Sequence, residues 1–92
     1  MNKQLISEAK KLREMVDELP EVKEYYRLKK LIECDDHLKK MRNEIAEAKY
    51  HGDKEKHEQL LSQYNSHPLV SNYESSKEEV QEILLTIKNI LD

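Results

Sequence analysis

Four groups of residues in this chain have the types and spacing that chemistry would need. In the stretch HGDKEKH, residues 51 to 57, His51, Asp53 and His57 lie close enough in sequence to be considered as metal ligands. A metal centre also needs fixed geometry and groups behind the ligands that orient them, and a lysine-rich turn offers neither, so these three read as solvated turn residues. Cys34 is the only cysteine, and the adjacent Asp35 disfavours the thiolate that a nucleophile requires. Glu78 and Glu79 are neighbouring carboxylates, but adjacent positions on a helix do not face one another, so they read as a solvated face. Tyr25 and Tyr26 with Arg27, Lys29 and Lys30 set aromatic rings among cations, which is how single-stranded nucleic acid is often held. Glu21, Glu24 and Glu33 interrupt those cations, and one core tyrosine on a mixed-charge helix is the stronger reading. There is neither a glycine-rich phosphate loop nor a nucleophile elbow. The sequence therefore nominates no catalytic, cofactor-binding or metal-binding residue, and no cofactor is expected.

Any site must be held by helices. The 92 residues are 38% charged and 37% hydrophobic, with one Gly and two Pro, which predicts an all-α fold in a single domain spanning 1–92. There is no Phe or Trp, so Leu, Ile, Val, Met and five Tyr must build the core. A chain this short buries only about 60–65% of its unfolded surface, and a second subunit is a natural way to add burial. The net charge of −3 is unevenly spread. Residues 1–65 carry 14 basic and 14 acidic side chains, whereas 66–92 carry Lys77 and Lys88 against Glu74, Glu78, Glu79, Glu82 and Asp92. An acidic last segment disfavours that helix as a nucleic-acid surface. A lone cysteine, no apolar run of the ~18 residues needed to cross a membrane, and an N-terminus without the apolar core of a signal peptide predict a cytoplasmic location.

Leu5, Ala9, Leu12, Val16 and Leu19 recur in steps of four and three, so a first helix is predicted over about residues 3 to 19, ended by Pro20. Pro20 suits the first turn of a second helix, where Glu21 favours the dipole and Val22, Tyr25 or Tyr26, Leu28 or Lys29, and Ile32 form the apolar stripe. Asp35 or Asp36 can cap a third helix bearing Leu38, Met41, Ile45 and Ala48, although the second and third could be one kinked helix. HGD reads as a turn with Asp53 as the next cap, followed by a short helix carrying Leu60, Leu61 and Tyr64. A last helix opens at Pro68. SKEE, residues 76 to 79, spells a capping box, yet the apolar phase runs through it unbroken. The expected architecture is an elongated bundle of four to five helices, long at both termini.

The last helix poses the main question. Tyr73, Val80, Ile83 or Leu84, Ile87, and Ile90 or Leu91 form its apolar stripe, on a helix that from Pro68 to Leu91 is about 36 Å long, against roughly 25 Å for the first helix. It must pack on two elements of its own chain or on another molecule. Leu12, Val16, Tyr73, Val80, Leu84, Ile87 and Leu91 are the residues expected to close the core and a subunit contact.

The order of these features resembles the YlbF/YmcA family of small helical regulators of Gram-positive bacteria. The similarity lies in SEAKKLREMV, PEVKEYYRLKKLI, DDHLKKMRNEI, KHEQLLSQY and HPLVSNYESSKEEVQEILLTI, which cover nearly the whole chain in order. It implies a homo-oligomer, a dimer being favoured, and a non-enzymatic regulatory adaptor. Family members act in competence, sporulation and biofilm formation, some by modulating RNase Y-dependent processing of messenger RNA, so related chains or RNA-processing proteins are expected partners. Two departures stand out. Cys34 alone cannot reproduce a cysteine-rich iron–sulfur site, and Leu19 stands where the family more often has a capping Ser or Thr, leaving that junction to Pro20. The alternative is a small RNA-binding protein using the Tyr25 to Lys30 region.

Overall fold

The computed structural model describes residues 2–91, which form five α-helices: α1 Lys3–Asp17, α2 Pro20–Cys34, α3 Asp36–Tyr50, α4 Lys54–Ser66 and α5 Pro68–Leu91. Each boundary has a local cause. α1 stops at Asp17, two residues before the expected end, because the chain must become extended ahead of Pro20. Leu19 is the N-cap of α2 and makes no side-chain capping bond, so Pro20, which has no N–H to satisfy, opens the helix. α1 is 15 residues long, no longer than α2 or α3; only α5, with 24, is a long helix.

Asp35 separates α2 from α3. Its backbone is extended (φ −80°, ψ 116°), its N–H donates to the Ile32 carbonyl, and its Oδ1 accepts from the Leu38 N–H at 2.9 Å. One residue thus ends one helix and caps the next, and the pair is two helices rather than one kinked helix. At the other end of α3, the Gly52 N–H donates to the Lys49 carbonyl and the Asp53 N–H to the Ala48 carbonyl. That pairing needs a left-handed residue, and Gly52 supplies it at φ 72°. Asp53 then caps α4 by accepting from the Lys56 N–H at 3.1 Å. Before α5, His67 is extended and its Nδ1 accepts from the Leu69 N–H at 3.1 Å. SKEE opens no helix: Ser76 lies inside α5 and is buried.

α5 packs along α2 and α3 packs along α4, with smaller contacts joining α2 to α3 and α4 to α5. The molecule measures 52 × 26 × 22 Å. Its radius of gyration of 18.0 Å far exceeds the about 12 Å expected of a compact chain of this length. Where the pairs meet, Ile32, Leu38, Met41 and Val70 form the core cluster, with Tyr64, Leu69 and Tyr73 packed against it and Leu38 fully buried. Val22, Leu28 and Ala48 add smaller buried patches. Among the described residues α1 comes within 8 Å, Cα to Cα, of α2 but not of α5, and none of its side chains is buried.

Candidate functional site

The apolar periodicity of α1 puts Ala9, Leu12 and Val16 on one face, and that of α5 puts Val80, Leu84 and Ile87 on another. These two faces do not meet. Between them lies an open groove of about 360 Å³, floored by Val22 and Tyr26 of α2 and edged by Arg13 and Asp17. The cause is the divergence of α1, which contacts α2 but not α5 among the described residues. Leu12, Val16, Val80 and Ile87 are half-buried, whereas Leu84 is 49% exposed. Further apolar residues of the two helices are also open: Leu5 is 61% exposed on α1, and Leu85, Ile90 and Leu91 are exposed on α5.

Five of the seven nominated residues, Leu12, Val16, Val80, Leu84 and Ile87, therefore line one surface. Leu91 lies beyond it, at the exposed end of α5. Tyr73 belongs elsewhere, packed on the core cluster and stacked on Tyr25 with ring centroids 5.4 Å apart and planes inclined by 23°. The two hydroxyls are 3.4 Å apart. That hydrogen bond, then burial, then the charges of Tyr25, Glu74 and Glu33 push the Tyr73 phenol up to about 12.

The aromatic and basic segment is largely engaged with its own chain. Tyr25 is sandwiched against Tyr73 and meets Tyr26 edge-on at 5.3 Å. The Arg27 Nε donates to Glu24 Oε2 at 2.9 Å, and a second nitrogen pairs with the other carboxylate oxygen. This bidentate hydrogen bonding holds the Glu24 carboxyl below its ordinary range and the Arg27 guanidinium above its own. Tyr26, 52% exposed, forms part of the groove wall rather than a stacking row.

The other polar candidates are structural or solvated. Asp53 of HGDKEKH is taken up in capping α4, and His51 is exposed. Among the described residues no three His, Cys, Asp or Glu side chains converge closely enough to hold a metal ion. Cys34 is exposed at the end of α2, as are Glu78 and Glu79 on α5. Arg42 was not singled out by the sequence. Its Nη1 lies 3.3 Å from both the Ile32 carbonyl and the Tyr64 hydroxyl, tying α2 to α3 and α4. Its position four residues after Leu38, on the same face of α3, was the available signal.

No helix among the described residues is long and apolar enough to cross a membrane. Comparison with known proteins adds the lineage. A family model described as "Control of competence regulator ComK, YlbF/YmcA" matches residues 5–92. No curated protein and no solved structure matches the chain. With the match spanning α1 to the end of α5, the chain belongs to the YlbF/YmcA family of competence-control regulators.

Proposed function

We propose that this protein is a non-enzymatic regulatory adaptor that works by docking other polypeptides on helix faces. The observation that carries this is the groove between α1 and α5, an apolar surface that the chain's own core leaves open. Monomeric proteins seldom expose large contiguous apolar patches, and a groove floored by Val22 and Tyr26 offers shape as well as apolar area. In keeping with family members that control competence, the process served is regulation of gene expression, exerted in the cytoplasm through contacts with related chains and with RNA-processing proteins, as in RNase Y-dependent processing. The same adaptor role extends to sporulation and biofilm formation in the family. Direct RNA binding is the weaker reading, since Tyr25 and Arg27 are already occupied within the chain.

Co-purification of the tagged protein from its host, with stoichiometry read by mass spectrometry, tests the proposal. Recovery of related chains or RNA-processing proteins in fixed ratio, lost in the Leu84→Asp variant, is the expected result. Leu84 is about half exposed and lies well along α5 from Val70, so the variant leaves the core cluster intact. Equal recovery with the variant would overturn the groove as the docking face.

A further inference from the structure

We infer that the cleft beside the core cluster, where α2, α3, α4 and α5 meet, binds a small zwitterion, an α-amino acid with an apolar side chain. The cleft has a volume of about 210 Å³ and shares no lining residue with the groove between α1 and α5. Sites for drug-sized ligands begin at about 300 Å³, so the occupant is small.

The apolar part of the cleft comes from the core. Ile32 and Val70, both buried, form its floor, and the half-buried rings of Tyr64 and Tyr73 complete the lining above them. An aliphatic side chain laid against this surface removes both from water.

The charged part carries both signs. Arg42 and Lys29 line the cleft together with Glu33 and Glu74, yet among the described residues none of the four is in an ion pair; the two pairs present are Lys23 with Glu18 and Arg27 with Glu24. Arg42 is the fixed member. It is half-buried, and its Nη1 donates at 3.3 Å to the Ile32 carbonyl and to the Tyr64 hydroxyl. Among the described residues no carboxylate pairs with its guanidinium. A planar fork held in this way suits a carboxylate, which can accept two parallel bonds from it. The negative side lies toward Tyr73, where Glu33 and Glu74 stand near enough to the hydroxyl for their charges to help hold its proton.

These charges select by sign. A simple anion entering the cleft meets Glu33 and Glu74, and a simple cation meets Arg42 and Lys29. A molecule with an ammonium and a carboxylate on one carbon, above an apolar body, satisfies both sides and the floor. That is the chemistry of an α-amino acid. Because the lining is drawn from four helices, its binding also stabilises their junction.

The chain has five Tyr and no Trp, so tyrosine emission reports on the cleft through Tyr64 and Tyr73. Titration of the full chain with L-leucine or L-methionine, followed by fluorescence and calorimetry, should show saturable one-to-one binding and a raised melting temperature. Isocaproate, which is leucine without its amine, and isoamylamine, which is leucine without its carboxylate, should each bind about tenfold more weakly or worse. Glu33→Gln combined with Glu74→Gln removes the negative side at two exposed positions. This double variant should lose leucine affinity by about tenfold or more while holding isocaproate no less tightly than the wild type does. Absence of saturable binding by either amino acid at millimolar concentration overturns the inference. So does isocaproate or isoamylamine binding as tightly as leucine, or a double variant that binds leucine like the wild type.

Discussion

At the scale of single residues, a buried hydroxyl and a half-buried one make opposite predictions. The Ser76 hydroxyl is buried within α5 and has no hydrogen-bond partner. A desolvated, unpaired hydroxyl is a cost without a return, and Ala is also the better helix former. Ser76→Ala is expected to raise stability by about 0.5–1 kcal/mol, seen as a melting temperature higher by a few degrees. Tyr73, by contrast, has found a partner in Tyr25. Folding holds the proton on Tyr73, so its contribution is intact below about pH 10, the value of a free phenol. It is lost as the pH rises toward about 12. Tyr73→Phe should flatten the fall of melting temperature between those two pH values, and an alkaline limb as steep as that of the wild type would remove Tyr73 as its source. Neither residue's role was legible in the sequence. The periodicity grouped Tyr73 with Val80 and Ile87, but its stacking on a ring 48 positions earlier depends on how α2 and α5 pack.

At the scale of elements, the sequence was most informative where the signals are local. Pro20, Asp35, Gly52 with Asp53, and Pro68 each mark a break between helices, because proline geometry, capping carboxylates and a left-handed glycine act within a few residues. The Asp35 carboxylate caps α3, so Asp35→Ala is expected to cost about 1 kcal/mol and to lower the melting temperature by several degrees. Restoration by Asp35→Asn or Asp35→Ser would identify capping as the cause, and an unchanged melt would exclude it. Where local signals mislead, packing decides. SKEE has the spelling of a helix start, but Ser76 sits inside α5 because the apolar phase from Val70 to Ile87 continues through it. The length of α1 was overread for a similar reason: Leu19 continues the stripe of Val16, but Pro20 forbids the helix from following it.

On the scale of the whole molecule, the stripes were legible and their partners were not. Ile32, Leu38 and Met41 were on the expected apolar faces, while Val70, which completes the cluster, carried no periodic signal of its own beside Pro68. Periodicity says which side of a helix is apolar, whereas the crossing of four helix ends at one point is a property of their arrangement. For the same reason the periodicity could nominate Leu12, Val16, Val80, Leu84 and Ile87 as contact residues on two separate helices, but not the open groove they line. α1 has a further consequence. A 15-residue helix with no buried side chain is near the length at which an isolated helix in water is marginally stable. Its order is then borrowed from whatever lies against it, so the folded fraction of α1 climbs as the groove is filled. An empty groove would leave a molecule with a frayed arm and a filled one a molecule with an ordered α1, so occupancy of the groove becomes a conformational signal in itself.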